Sequence, residues 1–157
     1  MQYVDGDDVE WTDYDTEAAT FRRKELSAAG DADMLGTSLY ELPAGERSWP
    51  YHYHTANAEA MYVLSGEGQV RGPDGEVTVS AGDYCYFPAD ESGGHRVVND
   101  SDGTLRYLMV STMVEPDVTI YPEKETFGVY VGAPPGGRGG RDFEGYYDID
   151  STVDYWE

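Results

Sequence analysis

The sequence predicts an all-β protein whose short antiparallel strands close into a barrel or pack as a sandwich. Short runs of β-branched and aromatic residues recur along the chain, and glycine-containing turns separate them at regular intervals. The 14 tyrosines and 19 glycines also favour strands and tight turns over helices. Many short strands with glycine at the turns are typical of sandwiches and barrels.

The strands can be assigned in chain order from the apolar pattern and the turns. Two hairpin turns are expected, at Gly72-Pro73-Asp74-Gly75 and at Asp100-Ser101-Asp102-Gly103. Residues 49–54 alternate aromatic residues with histidine, the period of two that indicates a strand. The expected strands of the central region are 34–42, 49–54, 59–64, 69–71, 77–79, 84–87, 95–99 and 105–111.

The two ends of the chain differ from this central region, which we place at residues 31–113. Residues 1–30 form an acidic N-terminal arm, with a short helix predicted weakly over 21–29. Residues 114–157 form a C-terminal extension with candidate strands at 118–121 and 127–131 and a Pro/Gly connector at 133–141. Residues 143–156 carry five aromatic side chains, which is rare in disordered tails, so we expect them to dock on the barrel or on a partner subunit.

The charge of the chain excludes two classes of partner. It has 31 acidic and 10 basic residues, a formal net charge of -21, and the acids are spread along the whole sequence. Such a surface repels nucleic acid and anionic lipid, and it is typical of a salt-adapted protein. No apolar run approaches the roughly 18 residues of a membrane span, and residues 1–17 are acidic, so we predict a cytoplasmic protein. The small basic cluster Arg22-Arg23-Lys24 is expected to pair with nearby acids.

Cys85 is the only cysteine, so the chain has no internal disulfide. It lies in the apolar run Tyr84-Cys85-Tyr86-Phe87, where we expect a buried, inert thiol.

The three histidines of the chain carry the strongest chemical signal. His52 and His54 point to one face of a strand, because side chains alternate, and they lie about 7 Å apart along it. Glu59 opens the next strand and His95 a later one, so both can reach the same place. Three imidazoles and one carboxylate suit a first-row divalent ion, and four protein ligands leave an octahedral ion two open positions. The predicted metal ligands are therefore His52, His54, Glu59 and His95.

The spacing of these residues resembles the two sequence motifs of the cupin superfamily. The first motif is matched by His52-Tyr53-His54, Glu59 and Gly66, and the second by Gly82, Pro88, His95 and Asn99. Two departures stand out: six residues separate Gly45 from His52 instead of the usual five, and the loop at 89–94 is longer than usual, with Asp90 where glycine is common. From about residue 21 to the end, the chain also resembles small single-domain prokaryotic cupins, including members from salt-loving archaea. The resemblance implies a double-stranded β-helix, or jelly-roll barrel, and carries the metal-ligand role to the same four residues.

The sequence leaves the function and the metal open. Cupin relatives include dioxygenases, isomerases, epimerases and lyases, so the first hypothesis is a metal-dependent enzyme acting on a small molecule, with Fe, Mn, Ni, Co or Zn as cofactor. A non-catalytic ligand-binding or sensor module is the second, and a structural or storage protein is the third. With all three histidines used, an acid or base would be a carboxylate or a tyrosine. A homodimer is also predicted, with residues 118–121 and 143–156 covering its exposed surfaces.

Overall fold

Thirteen strands form the fold in the computed structural model, which describes residues 1–30, 32–136 and 140–156. All the strand pairs are antiparallel. In chain order the strands are β1 (Thr12–Asp15), β2 (Thr20–Glu25), β3 (Leu35–Leu42), β4 (Tyr53–His54), β5 (Glu59–Ser65), β6 (Glu67–Gly72), β7 (Gly75–Ser80), β8 (Tyr84–Phe87), β9 (Arg96–Val98), β10 (Leu105–Thr112), β11 (Asp117–Tyr121), β12 (Thr126–Val131) and β13 (Phe143–Asp148). The helical segments are α1 (Leu26–Ala29) and two single turns of 3-10 helix, Glu91–Gly93 and Pro122–Lys124.

The strands are arranged in two layers that face each other. One layer is a six-stranded sheet in the order β1-β2-β3-β10-β5-β8. The other combines the sheets β13-β12-β11-β4 and β7-β6-β9, which an antiparallel bridge between His52 and His95 connects. This arrangement is the expected all-β jelly-roll barrel, so the fold class predicted from the sequence is confirmed.

The core lies between the layers and follows the alternation of side chains along each strand. Leu42, Met61, Val63 and Leu105 have no exposed surface, whereas Tyr62 and Leu64 on the outer face of β5 are exposed. Burial of each such side chain contributes about 1.5–3 kcal/mol relative to exposure. Asn99 is also fully buried, and its Nδ2 donates to the carbonyl oxygens of Leu42, Pro43 and Gly103 at 2.7–3.0 Å. The closing asparagine of the second motif therefore ties the β9–β10 turn to the end of β3.

The N-terminal arm differs from its prediction. The predicted helix at 21–29 is wrong over its first five residues, because β2 pairs with β3 and only Leu26–Ala29 is helical. Phe21 is 2% exposed and packs on Trp49 at a ring-centroid distance of 4.7 Å. Pairing with the sheet and burial of this ring outweigh the weak helical propensity of the segment.

The C-terminal extension adds three strands to the second layer. β13 pairs with β12 along its whole length, and β11 lies between β12 and β4. β11 is thus an interior strand of this sheet, and its predicted role in covering a partner subunit stays a prediction. Tyr155 and Trp156 are 85% and 88% exposed, so the end of the aromatic segment does not pack on this chain.

Two smaller expectations can be compared with the structure. The lone Cys85 is half-buried, and its side chain packs beside the core. Burial, with a contribution from Asp83, raises the pKa of the Cys85 thiol, which keeps it protonated and unreactive. Within the described residues, no helix has the length and apolar character needed to cross a membrane.

Candidate metal centre

The structure brings all four predicted ligands to one place inside the barrel. His52 and His54 lie at β4, His95 directly precedes β9, and the bridge between His52 and His95 sets these two backbones side by side. Glu59 opens β5 in the opposite layer. The three histidines are buried and Glu59 is largely so, with 13% of its side chain exposed.

The distances within this cluster suit convergence on a single ion. Oε2 of Glu59 lies 3.5 Å from Nε2 of His54 and 3.4 Å from Nε2 of His95. The ring centroid of His52 lies 5.3 Å from that of His54 and 4.8 Å from that of His95. His52, His54 and Glu59 each offer a ligand atom within 4.8 Å of the others. The 3.4–3.5 Å separations suit an ion shared by Glu59 with His54 and with His95 at bonds of about 2 Å, whereas the group within 4.8 Å does not include His95.

Hydrogen bonds orient each imidazole so that its Nε2 faces the cluster. Nδ1 of His52 donates to the carbonyl oxygen of Pro50 at 2.7 Å, and Nδ1 of His95 donates to that of Gly93 at 2.9 Å. Nδ1 of His54 donates to Oδ2 of Asp117 at 2.6 Å. An imidazole whose Nδ1 carries the proton presents the lone pair of Nε2, which is the usual arrangement around a protein-bound metal.

Asp117 is a functional residue that the sequence reasoning missed. It opens β11 with no exposed surface, and besides His54 it accepts a hydrogen bond from the backbone N of Ala56 at 3.1 Å. Its pKa is lowered, because these hydrogen bonds outweigh the effect of burial. The only available signal was an aspartate directly before the candidate strand at 118–121, at a position that would share a face with Thr119 and Tyr121 if the strand began one residue earlier.

The pKa values of the three histidines differ because their surroundings differ. Burial, together with the neighbouring imidazoles, holds the pKa of His52 well below its usual value. Burial also lowers the pKa of His95, although Glu59 acts in the opposite direction. For His54, burial acts to lower the pKa, but the hydrogen bond to Asp117 and the charge of Glu59 outweigh it, so the net shift is upward. Two of the three imidazoles are thus held neutral, the form that binds metal.

Glu59 provides the test of whether a metal fits this cluster. Its Oε2 is buried and has no hydrogen-bond partner among the described residues. A buried carboxylate oxygen without a partner is costly, and a cation bound between it and the Nε2 atoms would remove that cost. The donor set of nitrogen and carboxylate oxygen suits first-row divalent ions. The residues present therefore fit a metal.

A cavity of about 280 Å³ opens beside the cluster and extends between the layers. It is lined by the four clustered side chains and by further groups from both layers, among them Arg23, Tyr40, Trp49, Tyr107, Met109, Tyr121, Tyr130, Arg141 and Tyr146. The lining combines aromatic surfaces with hydroxyl and guanidinium groups, which is typical of a site for a small polar molecule.

Three tyrosines form a chain of hydroxyl groups along one wall of this cavity. The ring centroid of Tyr121 lies 6.0 Å from that of His52, and its Oη is 3.4 Å from Oη of Tyr130. Tyr130 donates to Oη of Tyr146 at 2.9 Å, and Tyr146 is 61% exposed. Gly128 makes room for this chain, because a Cβ there would lie 2.8 Å from Oη of Tyr130. Phenol groups thus extend from beside the histidines to the surface.

Comparison with known proteins identifies the fold family. Residues 38–111 match the family described as Cupin domain. The chain is 34% identical over 70 residues, or 45% of its length, to an oxalate-binding protein of Thermotoga maritima, and the match spans only 55% of that relative.

Two solved structures resemble most of the chain. A protein provisionally assigned as a sugar phosphate isomerase from Acidithiobacillus ferrooxidans is 26% identical, with a TM-score of 0.74 over 89% of this chain and 83% of that one. A sugar phosphate isomerase of the cupin superfamily from Silicibacter pomeroyi is 21% identical, with a TM-score of 0.81 over 99% of this chain and 98% of that one, a likeness of fold. Together with the two sequence motifs and the barrel, the family match shows that residues 38–111 of this chain form a cupin domain.

Proposed function

We propose that this cupin is a metal-dependent enzyme that acts on a small molecule bound in the cavity beside His52, His54, Glu59 and His95. The observation that carries the proposal is the buried Oε2 of Glu59, which has no partner among the described residues and lies 3.4–3.5 Å from two Nε2 atoms. A divalent ion held by these four residues would supply a Lewis acid to a bound oxygen group.

The other residues of the metal centre orient the histidines that would bind the ion. Asp117 fixes the ring of His54 and keeps its proton on Nδ1. The carbonyl oxygens of Pro50 and Gly93 do the same for His52 and His95. The three imidazoles are almost wholly buried, which strengthens the electrostatic interactions among these groups.

Tyr121 is the candidate proton donor. It lines the cavity next to His52, and burial raises the pKa of its phenol, so the hydroxyl stays protonated at neutral pH and can donate a proton. Tyr130 and Tyr146 continue the hydroxyl chain to the surface, where the proton could be replaced from water. The isomerase assignment of the relative from Acidithiobacillus ferrooxidans, which shares 26% identity, agrees with proton-transfer chemistry at such a site.

A second candidate is a binding protein without catalysis. The oxalate-binding protein of Thermotoga maritima, at 34% identity over 70 residues, favours this alternative. The two candidates differ in whether a ligand is released unchanged. Incubating the metal-loaded protein with a mixture of small sugars, sugar phosphates and organic acids, followed by mass spectrometry and NMR, separates turnover from retention.

The metal proposal is tested by metal content. Full-length protein purified from cells should contain about one equivalent of a first-row divalent ion, and His54→Ala should lose most of it while the barrel stays folded. The fold should survive because the apolar core between the layers is separate from the ligand set. Cys85→Ala is the matched control and should keep its metal, because the thiol takes no part in the cluster. Unchanged metal content in His54→Ala would refute the assignment.

We also propose that the protein forms a salt-dependent homodimer in the cytoplasm. The outer face of β5 and β8 exposes Tyr62, Tyr84 and Tyr86 by 46–64%, and Tyr62 and Tyr84 lie opposite each other. Aromatic rings on one sheet face favour association. The net charge of -21 opposes it until salt shortens the Debye length to about 3 Å near 1 M. Light scattering at low and molar salt should show a monomer that becomes a dimer, and a monomer at every salt concentration would refute the proposal.

A further inference from the structure

We infer that the molecule bound in this cavity carries an anionic oxygen group, a carboxylate or a phosphate, which Arg23 and Tyr40 bind at the end away from the metal ligands. The inference rests on the proposed function, because it takes the cluster around Glu59 as the metal centre. It adds a second contact region, a substrate class and two residues outside both cupin motifs.

The strand register places this second region on the same face of the six-stranded sheet as Glu59. In the six-stranded sheet, Arg23 lies opposite Tyr40 and Tyr40 lies opposite Tyr107, which forms one row across β2, β3 and β10. Glu59 lies opposite Ser111 in a parallel row. Tyr107 and Ser111 are four residues apart on β10, so their side chains point to the same side and the rows lie about 13 Å apart along the strand.

Both rows line one continuous cavity. Ser38 and Met109 lie opposite each other between the two rows and also line the cavity. The metal ligands and the Arg23–Tyr40 pair line the same cavity, so a molecule that spans it would contact both. A ligand that binds an ion at one end can therefore reach Arg23 with the other.

Arg23 has donor capacity that the protein itself does not use. Its side chain is only 14% exposed, and its Nη2 donates to Oη of Tyr14 at 3.1 Å and to Oε1 of Glu25. Its Nε is buried without a hydrogen-bond partner among the described residues. A guanidinium remains charged at every physiological pH, and a buried donor left unpaired is destabilising. An anionic ligand group beside it would compensate for that cost.

Tyr40 offers a proton at the same place. Its Oη accepts a hydrogen bond from Nε1 of Trp49 at 3.2 Å, which fixes the hydroxyl, and no acceptor for its own proton is found among the described residues. Burial raises the pKa of Tyr40, so the phenol keeps its proton for donation. A phenol that already accepts one hydrogen bond and lines a cavity is suited to donate to an oxygen of a bound molecule.

The charge of the lining also favours an anion. The chain has only 10 basic residues against 31 acidic ones, yet Arg23 and Arg141 both line this cavity. The acidic side chains of the lining are Glu59 and Glu144, and Glu144 pairs with Arg141 at 2.6 Å. With a divalent ion bound at Glu59, the side chains that line the cavity would carry more positive than negative charge, although Glu25 and Asp117 contact Arg23 and His54 from behind the lining. The guanidinium of Arg23 would then attract an anion at short range although the surface as a whole repels one.

Calorimetric titration of the cobalt-loaded, full-length protein with three matched probes tests this inference. Glycerol 3-phosphate carries a phosphate, glycerate carries a carboxylate and glycerol carries neither. We expect at least one anion to bind and glycerol to bind at least ten-fold more weakly. The tighter of the two anions identifies which group the site prefers.

Variants of neighbouring arginines locate the contact. Arg23→Met should weaken binding of the anion about ten-fold or more, which corresponds to ~1.4 kcal/mol, without changing the cobalt content. Arg22→Met removes the same charge from the opposite, exposed face of β2, where Arg22 pairs with Glu41, and should leave binding unchanged. Arg23→Lys keeps the charge but not the planar fork, so an intermediate loss is expected even if the methionine variant does not fold.

The outcomes separate this inference from the proposed function. Equal weakening by Arg22→Met and Arg23→Met, equal binding of glycerol and the anions, or no binding of any probe to the cobalt-loaded protein would overturn the inference. Failure of the wild-type protein to bind cobalt would instead overturn the metal centre itself.

Discussion

Substitution of Asp117 by asparagine tests how much the metal centre depends on a residue that touches no metal. Asp117 is fully buried, and its Oδ2 accepts the Nδ1 proton of His54 at 2.6 Å. Asparagine has nearly the same shape but no charge, so the bond loses its ionic character while the packing is retained. Hydrogen bonds to charged groups contribute about 1.5–3 kcal/mol and neutral ones about 0.5–1.5 kcal/mol.

The difference between the energies of charged and neutral hydrogen bonds sets the expected loss of metal affinity. Loss of about 1–1.5 kcal/mol of support to His54 corresponds to about a ten-fold loss of metal affinity. Loss of the hydrogen-bond partner of a metal-bound histidine typically lowers metal affinity about 10- to 100-fold. We therefore expect Asp117→Asn to bind cobalt about 10- to 100-fold more weakly at pH 7.5, measured by competition with a chromophoric chelator.

A control and a second variant make this prediction decisive. Asp74→Asn removes the same charge from the exposed β6–β7 turn and should leave cobalt affinity unchanged. Thr119→Val removes a weaker contact, the Oγ1 of Thr119 at 3.1 Å from Nδ1 of His54, and should cost less than Asp117→Asn. Circular dichroism and the melting temperature report whether the variants fold. A folded Asp117→Asn protein with wild-type cobalt affinity would refute the reasoning.

Three further predictions concern stability and the thiol. Burial raises the pKa of Tyr107 well above its ordinary value of 10.0, so above that pH the folded chain holds more protons than the unfolded chain. Stability should therefore fall as pH rises beyond about 10, and Tyr107→Phe should reduce that slope in urea titrations at pH 8 and 10.5. Gly128→Ala should destabilise the protein by about 1–3 kcal/mol in urea, because the new Cβ would displace the hydroxyl of Tyr130; unchanged stability would contradict the close contact. Cys85→Ala should leave the free energy of unfolding within about 1.5 kcal/mol of wild type, since the thiol is only half-buried, and a larger loss would contradict its peripheral position.

Much of the fold could be predicted from the sequence because it is encoded locally. Alternation of side chains, with glycine at the turns, indicated most strands of the central region to within a few residues, and the hairpin at 72–75 lies where its turn residues predicted it. The strand expected at 49–54 is limited to β4. The second hairpin, expected at 100–103, is wrong, because β9 pairs with β6 whereas β10 pairs with β3 and β5. The segment at 21–29 was harder, because its pattern is weak and the pairing partner is about 16 residues away in β3. Pairing with β3 decided the conformation of this segment, and its local helical propensity did not.

The sequence by itself determined which side chains could hold a metal. His52 and His54 share a face at a spacing of two, and the cupin motifs add Glu59 and His95, so spacing and motif together name all four residues. The structure brings those four side chains together; their binding of a metal remains a prediction.

Only the tertiary structure decided what surrounds that cluster. Asp117 lies 63 residues from His54 in the chain, and Arg23 reaches the cavity from the N-terminal arm, so no local spacing connects either residue to the centre. A periodic pattern specifies the face on which a side chain lies, but it does not specify which other strand that face meets. Closure of the two layers makes that choice, because burial of the apolar rows fixes the register, and the register places Arg23, Tyr40 and Tyr107 in one row.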